Sequence, residues 1–173
     1  MGRLNEGVRK RTENIIREGF SIFIGDANGV DKAMQKYLAQ QGYRNVIVFC
    51  TGSECRNNVG GWETRQIKSD REKRDFLYYT AKDVVMSEEA DYGFMLWDGK
   101  SVGTFNNILN LLDKGKHVLV YFSPEKDFIT LRMPSDVEVL LKKCTPQAVQ
   151  GFQRRLGLKD VMTPSQTELN LTK

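Results

Sequence analysis

One histidine in 173 residues, His117, is a scarcity that removes whole classes of chemistry. Zinc sites draw on closely spaced cysteine and histidine. Here only Cys50 and Cys55 are close, half a site at most, so no metal is expected. No Ser/His/Asp or Cys/His constellation suggests itself. His117 lies inside the apolar run HVLVYF and reads as a packed strand residue. Cysteine is also sparse: Cys50, Cys55 and Cys144 make an odd count with no framework spacing, which fits a reducing compartment. No apolar run approaches the ~20 residues that span a bilayer. The basic start MGRLNEGVRKRTENIIREG is not followed by a signal-peptide core. A cytoplasmic protein with no membrane partner is the expectation. There is no internal repeat and no low-complexity linker.

What is present is ordinary globular composition, 40% hydrophobic and 28% charged, enough for one domain with a real core. The net charge of +4 permits nucleic-acid contact without demanding it. The densest charge run, KSDREKRD at 68–75, mixes both signs and reads as a solvated helix face.

Hydrophobic periodicity organises the chain. Residues 4–18 read as a helix with Leu4, Val8, Ile15 and Ile16 on one side. FSIFIG (20–25) and NVIVFC (45–50) read as strands, and between them Val30, Ala33, Met34, Tyr37 and Leu38 mark one face of a helix. The polar stretch 51–70 has no clear period and reads as a functional or partly mobile loop, whose Trp62 and Arg56 could as easily cover a ligand as pack on the body. Residues 71–90 read as helical with Ala81, Val84 and Val85 inward. YGFMLW (92–97) is a strand, 102–114 a helix buried through Phe105, Ile108, Leu109 and Leu112, and HVLVYF (117–122) a strand. FITLRM reads as a fifth, edge strand, followed by two short helices in SDVEVLLKKC and TPQAVQGFQRRLGL. Strands alternating with helices predict an α/β fold: a three-layer, doubly wound, mostly parallel sheet of four to five strands. The expected organisation is a single domain over 1–158 and a mobile tail over 159–173.

In such sheets ligands sit beyond the carboxyl ends of the strands. Two loops there share a character: GDANGVD after the first strand and WDGKSVGT (97–104) after the third. Glycines let backbone N–H groups approach a ligand, and the helix N-terminus that follows favours an anion. The same residues also suit plain capping, with Asn28 and Asp31 in one loop and Ser101 and Thr104 in the other. Trp97 could be core or a platform for a base.

GDANGVDKAMQKYL and the stretch AKDVVMSEEADYGFMLWDGKSVGTFNNILNLLDKGKHVLVYF resemble the signatures of the SLOG superfamily, in its YspA/YpsA-like branch. These are Rossmann-like domains related to the Lonely-guy phosphoribohydrolases and to DNA-processing protein A. The resemblance spans roughly residues 4–123. It implies a nucleotide or nucleoside derivative held by Gly25, Asp26, Gly29 and Asp31 and by Asp98, Gly99, Ser101, Gly103 and Thr104. No cofactor is implied. Asn107 stands where the phosphoribohydrolases carry a glutamate, and an amide cannot serve as general base or nucleophile. A binding domain is therefore expected ahead of an N-glycosidic hydrolase, with single-stranded nucleic-acid binding a third reading. Relatives open with a strand before the first helix. This chain begins in the helix, so either its true start lies upstream or a strand is lacking. A neighbouring strand would then have an unpaired edge, favouring a homo-oligomer.

Overall fold

The computed structural model describes residues 4–71 and 73–157. The tail expected over 159–173 lies outside them.

Helix α1 (Glu6–Arg17) opens on Asn5, whose side chain accepts from the Gly7 N–H. Strand β1 (Ile22–Gly25) follows, then α2 (Val30–Gln40) and β2 (Val46–Thr51). Next come β3 (Glu63–Ile67) and α3 (Phe76–Glu89), then β4 (Tyr92–Trp97), α4 (Val102–Asp113) and β5 (His117–Phe122). The chain ends in β6 (Asp127–Leu131), a 3-10 turn, α5 (Val137–Leu141) and α6 (Pro146–Leu156). The molecule is mixed α/β.

Its strands form two sheets of three rather than the single sheet of four to five that periodicity suggests. One is all parallel, in the order β1-β2-β3; in the other, β4 and β5 are parallel and β6 returns antiparallel. The extra strand is β3, inside the stretch expected to be a loop. Its sequence ETRQI is polar and mostly solvated, so it carries no hydrophobic signal, yet it pairs with β2 from Ile47↔Glu63 to Thr51↔Ile67. The run KSDREKRD is not a helix face. Among its described residues it is a solvated connection, ended by Asp75, whose carboxylate caps α3 at the Tyr78 N–H.

Side-chain alternation gives each sheet two apolar faces. Ile22, Ile24, Val46 and Val48 of one sheet and Phe94, Leu96, Tyr121 and Phe128 of the other join a single cluster with Val8, Met34 and Leu38 of α1 and α2. On the opposite face Trp97, Val118, Val120, Phe122 and Leu131 pack with Phe105, Ile108 and Leu112 of α4 and with Phe152 of α6. Helix α3 lies over the parallel sheet and against α4. The two sheets thus share a helical cover on one face, although β1 and β4 do not pair.

One expectation changes, at His117, and two open alternatives are decided, at Trp62 and Trp97. His117 is exposed at the start of β5, not packed. Trp62 is buried, donating from its indole N–H to the Tyr43 carbonyl at 2.8 Å. Trp97 is 1% exposed, stacked on Phe105, and donates to the Ser101 carbonyl. Neither tryptophan is available to a base.

Candidate functional site

The carboxyl ends of β1 and β4 face the same region. An added Cβ on Gly25, the last residue of β1, would lie 2.4 Å from Asp31 Oδ2 and 3.1 Å from Lys82 Nζ. Glycine there permits a close approach of backbone to charged groups. On the other side, Asn107 of α4, with its amide oriented to satisfy its neighbours, donates to the Gly103 carbonyl (3.3 Å) and to Asp83 Oδ2 (3.2 Å). Lys82 and Asp83 form an ion pair buried on both sides. The adjacent pair on α3 thus reaches Gly25 and Asp31 through Lys82, and Asn107 through Asp83.

Burial pushes the carboxyl groups of Asp31 and Asp83 above their usual range, and the nearby Lys82 charge opposes but does not cancel that effect. Asp26 behaves oppositely. Burial again favours its neutral form, but hydrogen bonds from Arg56 and its charge outweigh burial and hold the carboxyl below its usual value. Arg56 donates to Asp26 from Nε (3.1 Å), Nη2 (2.6 Å) and its backbone N–H (3.0 Å), and stacks 4.3 Å above the Tyr79 ring. Arg56 therefore closes on an acid, not on an open ligand space.

Of the residues singled out from sequence, Gly25, Asp31 and Thr104 line one cleft, together with Asp83 and Asn107. The others serve their own loops. Asp26 is engaged by Arg56. Asp98 accepts from the backbone N–H groups of Lys100 (2.9 Å) and Ser101 (2.8 Å), an Asx turn that shapes its loop. Gly99 takes a φ of 75° against the Phe122 ring. Ser101 caps α4, accepting from the Thr104 N–H at 3.4 Å, and Gly103 faces open space.

The two helix starts differ. Gly29 is the N-cap of α2 at a φ of 102°, and no side chain caps that end. Asp31 instead accepts from the Ala27 N–H (3.0 Å), and the Asn28 side-chain oxygen accepts from Asn57. The capping that Asn28 and Asp31 suggest is absent from α2, whereas that suggested by Ser101 and Thr104 is present on α4.

Lys82 and Asp83 escaped the sequence reading, which turned Ala81, Val84 and Val85 of α3 inward. The buried positions are Tyr78, Lys82, Asp83 and Ser87, while Val84 is exposed. No single stripe marks them: Tyr78 and Lys82 stand one turn apart, as do Asp83 and Ser87, and the two pairs lie on different sides of the helix. Cys50 and Cys55 are joined in a disulfide, which the odd count and the spacing of the cysteines do not suggest, and Cys144 is free. Among the described residues no cluster is suited to a metal ion, and no helix is long and apolar enough to cross a membrane.

Compared with protein families, curated proteins and solved structures, the chain matches none of them.

Proposed function

We propose that the protein binds a nucleotide or nucleotide derivative at the carboxyl ends of β1 and β4, as a sensor or carrier. The observation that carries this reading is the uncapped start of α2 beside the buried Asp31–Lys82–Asp83 cluster. Helix N-termini leave backbone donors without partners, and their dipole favours a phosphate. The N–H groups of the first turn after Gly29 would take the phosphate. Asp31 would accept from ribose hydroxyls, and the Thr104 hydroxyl on the facing wall would add a donor. The doubly wound, Rossmann-like arrangement and SLOG membership belong to the same proposal: helices on both faces of parallel strands and a site beyond their carboxyl ends agree with it.

The test is a thermal-shift screen with nucleosides, mono- and dinucleotides, NAD and ADP-ribose, with released base assayed in the same wells. A selective rise in melting temperature is expected. It should be lost in Asp31→Asn and kept in Asp98→Asn, because Asp98 only shapes its own loop. Absence of any shift, or equal loss in both variants, overturns the assignment.

One observation favours an N-glycosidic hydrolase as the second reading. A carboxylate does stand beside Asn107, but it comes from Asp83 on α3. Burial favours its protonated form, which suits a general acid. Release of free base, abolished in Asp83→Asn, would establish this reading over simple binding.

A further inference from the structure

We propose that the cleft between β1 and β4 is a docking slot for an extended apolar segment of a partner protein, which enters as a strand parallel to both and joins the two sheets. The slot itself lies between the strands, and it shares only its far end, at Asp31, Asp83 and Thr104, with the nucleotide reading.

The cleft has a volume of about 740 Å³ and runs along β1 from Ile22 to Gly25 and along β4 from Tyr92 to Leu96. At one end lie Phe20 and Tyr92, where β1 and β4 begin; at the other lie Asp31, Thr104 and Asn107. Its two side walls are strand edges. β1 bonds only to β2 and β4 only to β5, so each turns an unpaired edge of backbone N–H and C=O groups into the gap. Its remaining walls are helical, with Ile15 and Met34 from α1 and α2 and Met86 and Leu111 from α3 and α4. The edges run in the same direction, because the carboxyl end of β1 and the helix start after β4 both meet the Lys82–Asp83 pair.

This geometry selects its occupant. Buried backbone groups need partners, and a row of alternating donors and acceptors on two facing edges is matched by another backbone. Addition of a strand to an open edge is an established mode of peptide recognition. A strand covered by helices on both faces is apolar at nearly every position, not at alternate ones. Phe20 and Tyr92, 51% and 68% exposed at the entrance, suit such a segment. At the far end Asp31 and Asp83 favour a residue that donates hydrogen bonds, serine or lysine, after the apolar run.

No segment within residues 1–173 is a good source. Every described strand already has a partner, so a second copy has no spare strand to lend. Residues 158–173 contain no three consecutive apolar residues. An extended segment from outside residues 1–173, carried on a partner polypeptide, fits best.

The probe is a fluorescein-labelled peptide with a core of six alternating valines and isoleucines followed by serine and lysine. Titration with the full chain should raise its anisotropy to saturation. The same peptide with proline in mid-core should bind at least about tenfold more weakly, because proline removes a ladder donor. Met95→Glu, which sets a charge in the slot wall, should weaken binding by about as much. Bound peptide should slow amide exchange in both 22–25 and 92–97 by at least about tenfold.

Lack of saturable binding, or equal binding of the proline peptide, overturns the proposal. So does protection of those amides that rises with protein concentration alone, which would assign the slot to a second copy. Faster exchange there after deletion of 158–173 would assign it to the chain's own end. Should Met95→Glu fail to melt cooperatively, the proline peptide and the exchange of the unaltered chain still decide.

Discussion

Arg56 closes on Asp26 across thirty residues of sequence, with Nη2 2.6 Å from Oδ1 and Nε 3.1 Å from Oδ2. The acid is 2% exposed and its partner's side chain 35% exposed. Removing one member of a buried pair leaves the other charge uncompensated, at ~3–5 kcal/mol when both are sealed from water. The exposed side of Arg56 reduces that, so Arg56→Ala should cost about 2 kcal/mol. Denaturant titration at neutral pH measures it. Because Asp26 sits below its unfolded value of 3.8, its contribution is present above that pH and is lost as pH falls through the lower folded value. Asp26→Asn should therefore flatten the acid limb of the stability curve below pH 3.8. An unchanged limb would mean that the pair does not form in solution.

The Asp31–Lys82–Asp83 cluster predicts the opposite pH dependence. Both carboxyl groups lie above their unfolded value of 3.8, so the folded state binds the extra protons. Their contribution to stability is full below 3.8 and is lost as pH rises through the folded values. Lys82→Met removes the cation that limits this effect. It should cost about 3 kcal/mol near pH 8 and progressively less toward the carboxylate range. Melting curves at a series of pH values test it; a loss independent of pH would exclude the electrostatic cause.

Gly25 is constrained by contact. A methyl group there would stand 2.4 Å from Asp31 Oδ2, so Asp31 must shift in Gly25→Ala. Overpacking of this kind costs ~1–3 kcal/mol. Truncating the obstacle should relieve it: Gly25→Ala combined with Asp31→Ala is expected to cost less than the two changes summed, by about 1 kcal/mol. Strict additivity would place the two residues out of contact.

The strands that pack on both faces could be read almost to the residue. YGFMLW and HVLVYF are β4 and β5 as written, because sustained apolar runs between helical periods leave little alternative. The cap on α4 was equally legible, since Ser101 and Thr104 act within one turn. What failed depends on distant partners. β3 is polar because most of it faces water, and only its backbone bonds to β2 define it. The inward face of α3 is charged because Lys82 and Asp83 answer one another and Asp31, an arrangement invisible to a hydrophobic count. Gly25, Asp31 and Thr104, chosen by their place after strands, line one cleft. Asp26 and Asp98 were chosen on the same ground, yet structural partners hold both carboxylates.

The cysteines give the most direct chemical test. Cys50, fully buried at the end of β2, is bonded to Cys55 at the start of the segment that carries Arg56 and Asn57. Unfolded without reductant, the protein should take up one alkylating group, at Cys144; after reduction it should take up three. In the folded state even Cys144 should react slowly at pH 8, because burial and the nearby Asp98 charge raise its thiol to about 11 and little thiolate is present. Closing so short a loop stabilises by about 2 kcal/mol in the chain-entropy treatment, so reduction should lower the melting temperature by several degrees. It should also loosen the turn that delivers Arg56 to Asp26. The Arg56→Ala penalty should then shrink under reducing conditions, and an equal penalty in both states would show that the disulfide and the ion pair act independently.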